Sequence, residues 1–157
     1  MLLKSHYQRA SVKASLICAT FGLLTAGFIN AIFWGILGGG IHEFFVVPGW
    51  RNPIIVAIIV LFVASIAFGY VAGSFVYRFG LQTNVTSIIG IALAWCCLFL
   101  SAVGGPSVNY FANTREMDAF HDYIVKPAAW VIVVGLLPAL LLGLLYSYLV
   151  RSNLRNT

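Results

Sequence analysis

Charged residues in this chain gather in short clusters separated by long apolar runs, and the run lengths predict its elements. No charge occurs from Ala14 to Ile41, a stretch of 28 residues. A bilayer core needs about 20 apolar residues of helix, so this run predicts a membrane span with length to spare for tilt or a turn. It also exceeds the roughly 7–15 apolar residues of a secretory signal, although Lys4, Arg9 and Lys13 precede it. A second uncharged run extends from Ile54 to Tyr77 and stops at Arg78, a third covers about 85–103, and a fourth starts near Pro127 and ends at Tyr148 to Val150. The expectation is an all-α, integral-membrane four-helix bundle in a single transmembrane domain over residues 1–157. Its spans fall at about 14–37, 54–77, 85–103 and 128–150, with outer loops at 38–53 and 104–127.

Glycine and proline punctuate these runs. Gly38-Gly39-Gly40 is expected to stop the first helix and Gly104-Gly105-Pro106 the third. Pro53 suits a first helical turn, where its missing N–H costs no bond, while Pro138 lies inside the fourth run. The segment from Phe79 to Asn84 is so short that the second and third spans must be antiparallel neighbours.

Composition agrees with a membrane and excludes other classes. The chain is 61% hydrophobic and 8% charged, against about 25% charged in a soluble domain, which could not cover so much apolar surface. A net charge of +5 would suit nucleic acid, but the cations form no patch and flank the apolar runs instead, so nucleic acid is discounted as a partner. Their distribution is an orientation signal. The ends and turn on one side hold Lys4, Arg9, Lys13, Arg78, Arg151 and Arg155 with no acid. The other side holds Arg51, Arg115 and Lys126 with Glu43, Glu116, Asp118 and Asp122. Six cations against three place both termini in the cytoplasm, in a bacterial-type inner membrane.

Small residues recur at four-residue spacing, at Gly35 and Gly39, Gly69 and Gly73, Gly90 and Ala94, and Gly135, Ala139 and Gly143. Such spacing lets helix backbones approach closely where lipid gives no hydrophobic drive for association. Trp34, Trp50, Trp130, Tyr70, Tyr77, Tyr146 and Tyr148 fall near span ends as an aromatic belt would, and Trp95 falls mid-span, where packing suits it better. No Asp, Glu, Lys, Arg or His lies inside an expected span, which argues against a proton-coupled pump formed by this chain alone. The polar span residues are mild: Thr20, Thr25, Asn30, Ser65 and Ser74, with Asn30 expected to bond a neighbouring helix. Cys18, Cys96 and Cys97 show no Cys-x-x-Cys spacing and read as small packing residues.

Two outer segments resemble one another. His42-Glu43-Phe44-Phe45-Val46-Val47-Pro48-Gly49-Trp50 and His121-Asp122-Tyr123-Ile124-Val125-Lys126-Pro127-Ala128-Ala129-Trp130 both run His, acid, aromatic, apolar, Val, any residue, Pro, then Trp two or three places on. If they mark a duplication, the chain comprises two parallel two-helix repeats related by an axis along the membrane normal. His42, Glu43, His121 and Asp122 would then form a candidate ligand set for a divalent transition metal at the outer face. The competing reading is two solvated or capping pairs at an interface; haem fits less well, since its histidines belong within spans.

No phosphate loop, zinc-protease helix or haem-attachment motif is present. The sequence therefore points away from catalysis and toward a four-span protein that works by binding, as an accessory or regulatory subunit of a larger membrane complex. Its expected partners are membrane lipid and either other membrane subunits or further copies of itself. The alternatives are a metal- or cofactor-binding protein built on the His–acid segments and, disfavoured for want of polar lining, an oligomeric transporter.

Overall fold

The computed structural model describes residues 2–36, 51–112, 118, 120–126, 128–129, 133 and 135–155. Four α-helices dominate: α1 (Leu2–Ile36), α2 (Arg51–Phe79), α3 (Thr83–Ala112) and α4 (Leu136–Arg155), with a π-helical turn at His121–Val125 between the last two. Each α-helix contains a segment long and apolar enough to cross a membrane, and no strand occurs among the described residues.

Helix α1 begins at Leu2, well before the apolar run at Ala14. Residues 2–13 contain neither glycine nor proline, and Gln8, Ser11 and Ser15 fall on one face at helical spacing. That face packs on α2, so tertiary contact carries the helix through a stretch whose cations suggest an exposed tail. At 35 residues α1 is about 52 Å long, against about 30 Å of hydrocarbon, so it tilts or stands partly outside the bilayer core.

Proline and glycine act differently at different places. Pro53 and Pro138 both sit in first turns, where no intrahelical bond is lost. Gly80 ends α2 with φ of 81°, and its N–H bonds the Val76 carbonyl, leaving only Gly80–Gln82 to reverse the chain. Gly104-Gly105-Pro106 does not end the third helix, contrary to expectation: α3 continues through Pro106 to Ala112. The two glycines serve close packing there. A Cβ on Gly105 would lie 2.7 Å from the Pro53 carbonyl oxygen, and one on Gly104 would lie 3.1 Å from Val60.

The helices form a ring in chain order, α1 on α2, α2 on α3, α3 on α4, and α4 back on α1. Direction alternates. The start of α1 meets the end of α2 through Tyr7 and Tyr77, whose rings lie 5.5 Å apart. The end of α4 meets the start of α3 through Arg151, which donates to the Thr83 hydroxyl at 2.7 Å. Buried positions follow the helical period: Ala14, Cys18 and Ala19 on α1, Leu61, Ala64 and Ala72 on α2, Leu93, Ala94 and Cys97 on α3, and Ala139, Tyr146 and Val150 on α4. Most are small, so the bundle is narrow and its larger apolar side chains, such as Phe21, Leu24, Ile59, Val63, Leu137 and Leu141, face outward. In water that surface would be untenable; in lipid it is already solvated.

Candidate functional site

Residues singled out by the sequence lie in three regions: the outer His–acid segment, the helix crossings, and the basic end of the bundle.

In the segment between α3 and α4, His121 opens the π-helical turn, and the Lys126 N–H bonds the His121 carbonyl in the wide i to i+5 pattern. Phe120 meets Tyr110 of α3 edge-on at 6.0 Å, which ties the turn to the helix before it. Asp122 is engaged: Lys126 Nζ lies 2.6 Å from its Oδ1, and His121 Nδ1 lies 3.7 Å from the same oxygen. The hydrogen bond from Lys126 holds the Asp122 carboxyl below its ordinary range, and the same bond raises Lys126. Both ionic partners remain about half exposed, so this is a solvated pair along one helical face. His42 and Glu43 lie outside the described residues. Among the described residues no three His, Cys, Asp or Glu side chains gather as ligands of one metal would. Pro48, Trp50, Pro127 and Trp130, on which the resemblance of the two segments also rests, have no described side chain.

At the helix crossings, Gly69 and Gly73 of α2 face α1. A Cβ at Gly73 would lie 2.6 Å from the Gln8 Cα and one at Gly69 would lie 2.5 Å from the Ser15 Oγ. With those side chains absent, hydroxyls of α1 reach the backbone of α2. Ser11 donates to the Gly69 carbonyl at 2.6 Å, and Ser15, one turn on, donates to the Ser65 carbonyl at 2.6 Å. Gln8 extends the row with a 2.8 Å bond from Nε2 to the Ser74 hydroxyl. The Tyr146 hydroxyl comes in from α4 against Ser11. On the opposite wall α3 and α4 cross at Gly90 and Gly143; a Cβ on Gly143 would lie 2.5 Å from the Ile91 backbone nitrogen. Ala139 is fully buried, Gly135 belongs to the turn before α4, and Gly35 lies on α1 near its end, while Gly39 is outside the described residues.

Between these crossings a cavity of about 30 Å³ is lined by Ser15, Cys18, Ser65, Cys97, Leu142 and Tyr146, among others. It has room for about one water molecule and for no organic substrate. Cys18 and Cys97 are buried beside it, Cys18 directed at the Leu142 carbonyl at 3.5 Å and Cys97 receiving the Ser65 hydroxyl at 3.7 Å. They are packing groups with weak polar contacts.

This polar row was missed from the sequence. Gln8 and Ser11 lie among Lys4, Arg9 and Lys13, ahead of the expected span, and Ser15 lies just inside it. The available signal was spacing: Gln8, Ser11, Ser15, Cys18 and Gly22 form one stripe if the helix is extended back to Leu2.

At the basic end, Lys4, Arg9, Lys13, Arg78 and Arg155 are exposed. The only ion pairs among the described residues are those of Asp122, with Lys126 and His121.

No protein-family model, curated protein or solved structure matches the chain.

Proposed function

We propose that this chain is a non-catalytic four-span membrane protein that acts by binding, as an accessory or regulatory subunit of a larger membrane complex. One observation carries this reading: among the described residues the centre of the bundle is occupied by helix-to-helix contacts. The Ser11 and Ser15 hydroxyls go to backbone carbonyls, the Tyr146 hydroxyl goes to Ser11, the thiols pack, and the cavity among them is water-sized. Substrate chemistry or transport through the single bundle needs space or charge that this interior lacks. The outer surface and outer segments are what remain to be recognised.

The same proposal places both termini in the cytoplasm of a bacterial-type membrane, supported by six cations against three across the two sides. It includes two parallel two-helix halves, a reading that rests on the likeness of the His42 and His121 segments.

Purification of the full chain in mild detergent tests this. A reproducible set of membrane partners, retained in stoichiometric amount, is the expected result. A bare homo-oligomer would instead favour transport along a shared path. A stoichiometric transition metal, lost in both His42→Ala and His121→Ala, would replace the proposal with a metal-binding function at the outer face.

A further inference from the structure

We infer that the flank of the α1–α2 pair at its basic end is a binding site for an anionic phospholipid, headgroup phosphate against the cations and acyl chains along the apolar wall below. Two adjoining clefts make up this flank. One, of about 470 Å³, lies on α2 between Lys4, Ser74, Tyr77 and Arg78, and its floor is Val71 and Phe75. The other, of about 500 Å³, runs along α1 past Gln8, Arg9 and Lys13, and its floor is Val12 and Leu16. Tyr70 lines both and is 56% exposed, so the clefts form one continuous surface with a phenol at its centre.

Charge and polarity select the ligand. Four cations border the flank, two at each cleft, and among the described residues none is paired with an acid. The Gln8–Ser74 hydrogen bond crosses from α1 to α2 between them and supplies uncharged polar groups at the same level. Exposed Val71 and Phe75 adjoin these cations on a helix suited to a membrane, so whatever lies there meets both positive charge and an apolar wall. An acidic protein segment would match the charge and leave the apolar floor to other lipids; free phosphate would use neither the floor nor both clefts. Exposed tyrosines and long basic side chains at this level are also those that reach toward lipid headgroups. The inference rests on membrane placement and is independent of the accessory-subunit proposal.

Native mass spectrometry of the full chain in detergent, titrated with phosphatidylglycerol, phosphatidylcholine or inorganic phosphate, tests the site. Phosphatidylglycerol should be retained at least tenfold more tightly than phosphatidylcholine. The pairs Lys4→Gln/Arg78→Gln and Arg9→Gln/Lys13→Gln should each weaken it roughly tenfold or more, from the contribution of each cation near an anionic headgroup. Arg155→Gln, at the same end but on α4, should change it less than about twofold. Equal loss in Arg155→Gln would reduce the effect to diffuse charge and overturn the site. So would equal retention of phosphatidylcholine, or displacement of the lipid by inorganic phosphate or by a polyglutamate peptide. A phosphatidylglycerol bearing a photoreactive headgroup gives a second readout on the unmutated protein. It should label residues 4–13 and 70–78, and labelling confined to other segments would overturn the assignment.

Discussion

The hydroxyl oxygens of Ser11 and Tyr146 lie 2.5 Å apart across 135 positions of sequence, and the direction of their bond is fixed. Ser11 has one proton, and the Gly69 carbonyl beside it can only accept. Tyr146 therefore donates to Ser11, which donates to Gly69, and one relay joins α4, α1 and α2.

Unequal costs along that relay follow. Tyr146→Phe removes the first donor and leaves Ser11 bonded to Gly69, so it should cost about 0.5–1.5 kcal/mol, in the range for single bonds between membrane helices. Ser11→Ala strands the fully buried Tyr146 hydroxyl and should cost about 1–3 kcal/mol. Equilibrium unfolding in micelles of rising SDS fraction measures both. In the double variant the costs should fall well short of adding; full additivity would mean the two hydroxyls do not interact.

Gly73→Leu should separate α1 from α2, because even its Cβ would meet the Gln8 backbone at 2.6 Å, and backbone cannot rotate away. Gly27→Leu on α1 is the matched control, with nothing within 4 Å of the added atom. Thermal stability in detergent should fall for the first and stay near wild type for the second. A Gly73→Leu protein as stable as its control would mean the helices do not meet there.

Among the described residues the buried Ser147 hydroxyl has no partner, an expense without return in the folded state. Ser147→Ala should therefore be neutral or raise stability by about 1 kcal/mol. A clear loss would show that the hydroxyl has a partner after all.

The Asp122–Lys126 pair sets a pH window. Asp122 is depressed in the folded chain, so its contribution is present above the unfolded carboxylate range and fades as pH falls through the lower folded value. Lys126 is raised, so its contribution is complete below the ordinary lysine range and is lost only as pH climbs through the higher folded value. Carbon-13 NMR of the Asp122 carboxyl should show a midpoint below that of a free aspartate, returning toward it in Lys126→Met. Identical midpoints in the two proteins would remove the pair.

Orientation is open to direct test. Cysteines placed at Thr114 or Gly49, in a background with Cys18, Cys96 and Cys97 replaced, should react with an impermeant maleimide added outside sealed cells. Those at Gln82 or Asn153 should not. Labelling at position 82 would invert the proposed topology.

The four helices were legible because about 20 uncharged residues in succession decide the matter almost alone. Their limits were less so. Lys4, Arg9 and Lys13 made the start of α1 look like a tail, though a helix with one face packed on α2 tolerates cations on its other faces. Gly104 and Gly105 looked like a terminus, yet their missing side chains serve contact with Val60 and Ala57. Glycine's two uses, freedom of φ and absence of bulk, are indistinguishable in a single sequence. At the candidate sites, the cations at 4, 9, 13 and 78 could be counted but not assigned to one flank, because the packing of α1 on α2 decides that. Half of the proposed metal set, His42 and Glu43, lies outside the described residues.

The closing of the ring by α4 has a bearing on how the protein is made. Ser11 leaves the ribosome 135 residues ahead of Tyr146, so α1, α2 and α3 are all synthesised while one face of α1 still awaits its neighbour. During that interval Ser11 is already held on Gly69 of α2, while the sides of Ser11, Cys18 and Gly90 that meet α4 have no helix against them. Arrival of α4 covers them at once, through Tyr146 on Ser11, Leu142 against Cys18, and Gly143 against Gly90. A chain arrested before α4 keeps Ser11 on the Gly69 carbonyl and Ser15 on the Ser65 carbonyl, and lacks only the contacts that Tyr146, Leu142 and Gly143 bring.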